Sequence, residues 1–213
     1  MERGILEIMS WFNHFLMWLF PSPYTAKDLA HIPSAPNPAQ ANIFALYDYH
    51  HPKGKELVYY IKRQEDRIVS EELGKNMALC LQEYLAEQQQ YSFFLNPIVI
   101  PVPLTSSQKK NRGFNQSEKI AKSLTRNIDG HYHNNVIYKN RETEKQALIN
   151  NKSQRFINVR NCFSIHEKYK NELAHQDIII VDDLVTTGAT IMELEKTLRA
   201  AGARNVIAMT VAH

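Results

Sequence analysis

Residues 178–190 read Ile-Ile-Ile-Val-Asp-Asp-Leu-Val-Thr-Thr-Gly-Ala-Thr, and they leave the chain few folds to choose from. Ile178–Val181 is a near-continuous aliphatic run, the mark of a parallel strand covered on both faces. Beyond Gly188, apolar Ile191, Leu194, Leu198 and Ala201 recur at helical spacing, and Gly202 is a natural stop. Strand, small hydroxyl-rich turn and amphipathic helix predict an α/β fold with a mostly parallel sheet flanked by helices. Leu184–Thr190 then sits at the carboxyl end of a strand and the amino end of a helix, where open α/β sheets bind ligands. The free N–H groups and dipole of the first helical turn suit an anion such as phosphate. Thr186, Thr187 and Thr190 add hydroxyl donors, and Gly188 lets the backbone come close to a ligand.

Asp182 and Asp183 are adjacent, so an unbroken strand would send them to opposite faces. At the strand's end both can turn into the crevice. Beside a phosphate site they would repel the phosphate unless they served another part of the ligand. Accepting hydrogen bonds from ribose hydroxyls or supporting a divalent cation are such roles. A bare Asp-Asp pair is as readily a helix cap beside a solvated carboxylate. The Thr-Thr-Gly-Ala-Thr turn attached to this one favours the ligand role.

A second block lies upstream. Ile98–Val102 reads as another buried strand, closed by Pro101 and Pro103, and a helix follows from about Ser117 to Arg126. Between them runs a polar, basic loop, Thr-Ser-Ser-Gln-Lys-Lys-Asn-Arg-Gly-Phe-Asn-Gln, with Lys109, Lys110 and Arg112 near what would be a polyphosphate. In isolation a Lys-Lys-x-Arg run reads as a solvated face. A third block holds Arg141, Thr143, Gln146 and Leu148, then Arg155, Asn158, Val159 and Phe163.

Val181 to Thr190 resembles the phosphoribosyl-pyrophosphate (PRPP) signature of the type I phosphoribosyltransferases. With Pro101-Val-Pro, Arg112-Gly-Phe-Asn-Gln116 and the third block in the same order, the chain resembles the ComF group, phosphoribosyltransferase-like proteins named for competence in DNA uptake. The resemblance covers about residues 97 to 213. It implies a type I phosphoribosyltransferase-like fold and Mg²⁺-dependent binding of PRPP. Phosphoribose would pass to an unidentified nitrogen acceptor. By position, Asp182 and Asp183 would contact the ribose. Leu184, Val185, Thr186, Thr187, Gly188, Ala189 and Thr190 would hold the 5′-phosphate, and the backbone of Val102, Pro103 and Leu104 the pyrophosphate. Lys109, Lys110 and Arg112 would neutralise the departing pyrophosphate from a mobile flap. The resemblance also implies a domain at 41–213, with a hood at 41–95 and a core at 96–213, behind an N-terminal appendage at 1–40. A non-catalytic alternative is a competence scaffold that binds single-stranded DNA or competence proteins through the basic flap and exposed aromatics such as Phe114.

Two departures from the group matter. Its members usually begin with a zinc module built on Cys-x-x-Cys pairs. Here Cys80 and Cys162 stand alone, so no four-cysteine site can form, and no zinc is expected. Two unpatterned cysteines fit small buried apolar residues in a reducing cytoplasm. Relatives that act on 6-oxopurines carry an acid inside the motif turn. Thr186 stands there instead and is a poor base.

The remaining sequence bounds the answer further. The chain has 213 residues and a net charge of +3, which permits polyanion binding without arguing for it. Ile5–Phe20 is its most apolar stretch, sixteen residues interrupted by Glu7, Asn13 and His14, whereas a spanning helix needs about twenty. It reads as an amphipathic helix that docks on the domain, on a partner or on a membrane surface, not as a transmembrane segment. Pro21–Gln40 reads as a linker or extended arm. Ile43–Tyr49 reads as a strand, His51-Pro-Lys-Gly as a turn, and Lys55–Arg63 as helical. Ser70 opens a helix to about Gln90, and Val206–Val211 is the last strand. The paired histidines, His50-His51 and His131-x-His133, lack a third metal ligand and read as surface residues.

Overall fold

The motif strand is the middle strand of a five-stranded sheet that is parallel throughout. The computed structural model describes residues 24–36, 42–87, 94, 96–143 and 151–213. The sheet comprises β1 (Ile43–Tyr47), β2 (Ile98–Pro101), β3 (His131–Tyr132), β6 (Asp177–Leu184) and β7 (Asn205–Ala212), side by side in the order β1-β7-β6-β2-β3. A separate antiparallel pair is formed by β4 (Ile137–Lys139) and β5 (Phe163–Ile165). The helices are α1 (Ala26–Ala30), α2 (Pro52–Arg63), α3 (Arg67–Glu87), α4 (Ser106–Arg112), α5 (Gln116–Asn127), α6 (Lys152–Val159), α7 (Lys170–Leu173) and α8 (Ala189–Ala200).

The period of two in β6 explains the layers. Ile179 and Val181 join one apolar cluster with Leu73, Met77 and Leu81 of α3 and Ile120 and Leu124 of α5. Ile178 and Ile180 join the other, with Ile191, Leu194 and Leu198 of α8 and Phe163 of β5. Full burial of each such aliphatic side chain stabilises by about 1.5–3 kcal/mol, so the continuous run is what a strand between two layers requires. α3 and α5 touch backbone to backbone at Gly74. A Cβ there would lie 2.6 Å from the Leu124 nitrogen and would run into the Ser123 side chain.

This topology creates the crevice. β2 connects through α5 to β3 on one side, while β6 connects through α8 to β7 on the other. The carboxyl ends of β2 and β6 therefore flank a switch point. The register Pro101↔Val181 brings both strands to the crevice together, and Val102 N–H adds one more bond to Val181 O at 2.9 Å.

Several expectations change. The segment Ser106–Arg112 is a helix, not a loop. Thr105 and Gln108 form a capping box, and Gly113 closes the helix at φ 80°. His51-Pro52 starts α2 instead of turning the chain. Proline is well placed at a first helical position, and the His51 ring accepts from Lys53 N. Part of the expected proline-rich arm is tied down. Thr25 and Asp28 box the start of α1, Leu29 and Ile32 are buried, and Ala35 N–H donates to Leu46 O at 3.1 Å. Of the expected hood, β1 is the edge strand of the main sheet beside β7, and α3 packs on α5 in its core. The apolar stretch 5–20 lies outside the described residues. Among the described residues no helix is long and apolar enough to cross a membrane.

Candidate functional site

Arg112 and Gln116 tie the second block to the acid pair, and Asn115 ties it to Val102. Arg112 Nη1 donates to Gln116 Oε1 at 3.1 Å, and Gln116 Nε2 donates to Asp183 Oδ2. Asn115 caps α5 by accepting from Ser117 N at 3.1 Å and donates to Val102 O at 3.1 Å. The short string thus joins the Pro-Val-Pro turn to the motif carboxylates. A period-based reading cannot see this, because the groups are 67 residues apart at Gln116–Asp183.

β6 continues through Leu184, so Asp182 and Asp183 keep the alternation of a strand, yet both line one cavity of about 510 Å³. Asp183 is buried. Lys62 Nζ lies 3.3 Å from its Oδ1, and Arg112 Nη1 lies 3.9 Å from its Oδ2. Asp182 Oδ1 accepts from Asp183 N at 2.8 Å and from Ser117 Oγ at 3.4 Å. Burial, and then the neighbouring Asp183 carboxylate, push the Asp182 carboxyl up to about 7.

The motif turn closes the opposite wall. Gly188 adopts φ 74°, in the left-handed region, and Met192 N–H returns to its carbonyl at 2.9 Å, opening α8. Leu184, Val185, Thr186, Thr187, Gly188, Ala189 and Thr190 all line the cavity, as do Val102, Pro103 and Leu104. Arg112 lines it too, whereas Lys109 and Lys110 are exposed in the last turn of α4 and are not among the lining residues. Cations near a helix carboxyl end are favourable, which accounts for both lysines without a ligand.

Two cationic lining residues went unnoticed in the sequence, Lys62 of α2 and Lys139 of β4, and Arg155 of α6, noted there only as part of the third block, lines the cavity too. Arg155 Nη1 donates to Thr186 Oγ1 at 3.1 Å. Lys139 is partly buried with its Nζ 5.6 Å from the Phe163 ring centre, and desolvation holds its ammonium below the usual range. Among the described residues, four cationic side chains face two carboxylates, so the cavity favours an anion. Tyr49, Val58 and Tyr59 supply an aromatic and apolar side. Of the third block, Arg141 is structural: Nη2 donates to Asn158 O at 2.9 Å and Arg160 O at 3.0 Å. Gln146 and Leu148 lie outside the described residues. Cys80 and Cys162 are free and packed against apolar clusters, where burial pushes both thiols up. Phe114, expected to be exposed, is partly buried.

No protein-family model matches the chain. Among curated proteins it is 29% identical over 150 residues to competence protein F of Haemophilus influenzae, covering 70% of this chain and 63% of that one. It is 28% identical over 169 residues to the DNA utilization protein YhgH of Escherichia coli O157:H7, covering 79% of this chain and 70% of that one. It is 29% identical over 139 residues to competence protein ComFC of Streptococcus pneumoniae, 63% of this chain and 53% of that one. Among solved structures, it overlaps the glutamine PRPP amidotransferase of B. subtilis at TM-score 0.44 and 18% identity, over 72% of this chain and 30% of that one. A hypoxanthine phosphoribosyltransferase of Staphylococcus aureus overlaps at TM-score 0.37 and 16% identity, over 66% and 62%. The likeness to these two structures says nothing about activity. The curated relatives, at 28–29% identity over 63–79% of this chain, support the resemblance to the ComF family.

Proposed function

We propose that the protein binds Mg²⁺-PRPP in the cavity between the ends of β2 and β6 and transfers phosphoribose to a nitrogen acceptor. One observation carries this reading. The acid pair, the Gly188 turn and the Val102–Leu104 turn line the same cavity, together with four cations. A pentose with phosphate at one end and pyrophosphate at the other needs those three things in one cavity. The Gly188 turn and Arg155 take the 5′-phosphate. The carboxylates accept from the ribose hydroxyls, and Arg112 faces the pyrophosphate. In the reaction the bond from the anomeric carbon to the pyrophosphate oxygen breaks, and pyrophosphate leaves with the electron pair. A carbon–nitrogen bond forms, and the acceptor nitrogen loses its proton. The chain's contribution is positioning and charge stabilisation. Mg²⁺ arrives as the counter-ion of the substrate's pyrophosphate. Thr186 accepts from Arg155 and serves as no base, so proton removal falls to the acceptor's own chemistry or to solvent.

Calorimetric titration of Mg²⁺-PRPP into the wild type and into Asp182→Asn/Asp183→Asn tests the reading. Binding by the wild type and its loss in the double variant are expected; a wild type that gives no heat of binding overturns it.

A second reading has its own support. Lys109 and Lys110 are exposed outside the cavity, and the relatives are named for competence and DNA utilization. Under it the protein acts in DNA uptake as a non-catalytic scaffold that contacts single-stranded DNA. Affinity for an oligonucleotide that falls steeply with salt, without pyrophosphate release from PRPP, favours it.

A further inference from the structure

Asp183 is held at both oxygens from two directions. Gln116 and Arg112, on the Arg-Gly-Phe-Asn-Gln string, meet Oδ2. Lys62 meets Oδ1 at 3.3 Å, from a helix 121 positions upstream in a segment with no part in the motif. The lysine is only 25% exposed at its side chain and the aspartate 8%, so solvent does little to screen the pair. A carboxylate pinned at one oxygen can still rotate about its terminal torsion; pinned at both, it has one orientation.

The anchor for Lys62 is itself fixed. Leu57, Val58 and Ile61 of α2 are buried. Gly54 packs so closely on the Asp48 carbonyl that no side chain fits, and Tyr49 N–H donates to His213 O at 2.9 Å. The start of α2 is thus stitched to the end of β7, and Lys62 emerges on its cavity side next to Val58 and Tyr59.

We propose that Lys62 is a positioning residue for pentose recognition, orienting Asp183 from outside the motif so that its free lone pairs meet the ribose hydroxyls. This rests on the PRPP reading of the same cavity. Lys62 acts through Asp183, and the phosphate-binding turns lie elsewhere on the wall. Its loss therefore weakens ligands that contain the pentose and spares those that do not. A general loosening of the fold would weaken all of them.

The test compares wild type, Lys62→Met and Lys62→Arg in titrations with ribose 5-phosphate, Mg²⁺-PRPP and Mg²⁺-pyrophosphate. The methionine variant is expected to lose about tenfold in affinity for ribose 5-phosphate and PRPP, the effect of removing one charge-assisted contact, while pyrophosphate stays within about twofold. Arginine, which keeps the charge, recovers most of the loss. Equal losses for all three ligands, or unchanged ribose 5-phosphate affinity in a folded Lys62→Met protein, overturns the proposal. If the methionine variant does not fold, the same ligand ratios measured in Lys62→Gln decide it. A wild type that binds neither PRPP nor ribose 5-phosphate overturns the PRPP reading itself and this inference with it. A wild type that binds both, beside an unaffected variant, overturns this inference alone.

Discussion

Arg155, on α6, donates from Nη1 to the hydroxyl of Thr186 in the motif turn at 3.1 Å. The third sequence block and the motif turn are therefore in direct contact, although α6 is continuous with neither β2 nor β6. A guanidinium held there presents a planar fork to an incoming phosphate.

Arg155→Leu should weaken ribose 5-phosphate binding by about tenfold, because it removes a charge-assisted phosphate contact. Thr186→Val should weaken it less, since it removes only the hydroxyl that orients the arginine. A double-mutant cycle in calorimetry should give a coupling of about 0.5–1.5 kcal/mol. Strict additivity would separate the arginine from the turn.

Asp182→Asn should stabilise the protein at alkaline pH. The Asp182 carboxyl is pushed up to about 7 in the folded state. Its ionisation is easier in the unfolded chain, so the folded state binds more protons between its ordinary value near 4 and about 7. Stability from this group is intact below that window and falls as pH rises through it. At pH 8 the asparagine variant should be more stable by on the order of 2 kcal/mol, and near pH 4 the difference should vanish. Thermal melts across pH 4–8 measure this. The same change should abolish PRPP binding, a gain in stability at the cost of the site.

Asn115→Ala should damage fold and site together. It removes the α5 cap at Ser117 N and the bond to Val102 O. A lost cap costs about 1 kcal/mol, and a buried carbonyl left without its partner adds about 1–3 kcal/mol. Urea unfolding should show a lower midpoint, and pyrophosphate affinity should fall because the Pro-Val-Pro turn loses its tether.

Gly74→Ala should be among the most costly single-methyl changes in the chain. The new Cβ would meet the Ser123 side chain and the Leu124 backbone nitrogen, which cannot move away cheaply. Overpacking of this kind costs about 1–3 kcal/mol or more. The loss should appear as a lowered urea midpoint with an unchanged slope. Pairing it with Ser123→Gly should recover part of the loss.

Much of this protein was written locally. The strand-turn-helix of the motif is legible because a strand buried on both faces must be aliphatic throughout and because the chain needs Gly188 where φ turns positive. α3, α5 and β7 are legible for the same reason: their apolar spacing matches the faces they bury. Helix α4 carries no apolar period and buries no residue, so periodicity missed it. The signal that marks it is the capping pair Thr105-x-x-Gln108, and Thr25-x-x-Asp28 marks α1 in the same way. Both are short-range hydrogen-bond patterns, which a hydrophobic reading does not weigh.

The sequence by itself determined the turns that line the cavity, because strand burial, glycine conformation and helix-end polarity depend only on neighbours along the chain. Only the tertiary structure decided which charges face them. Lys109 and Lys110, adjacent to a motif, point elsewhere, while Lys62, Lys139 and Arg155 arrive from α2, β4 and α6. A lysine on a half-polar helix looks the same whether it ends in water or 3.3 Å from Asp183. What separates the two is the parallel order β1-β7-β6-β2-β3 and the packing of α2 against it, which bring distant segments over one crevice.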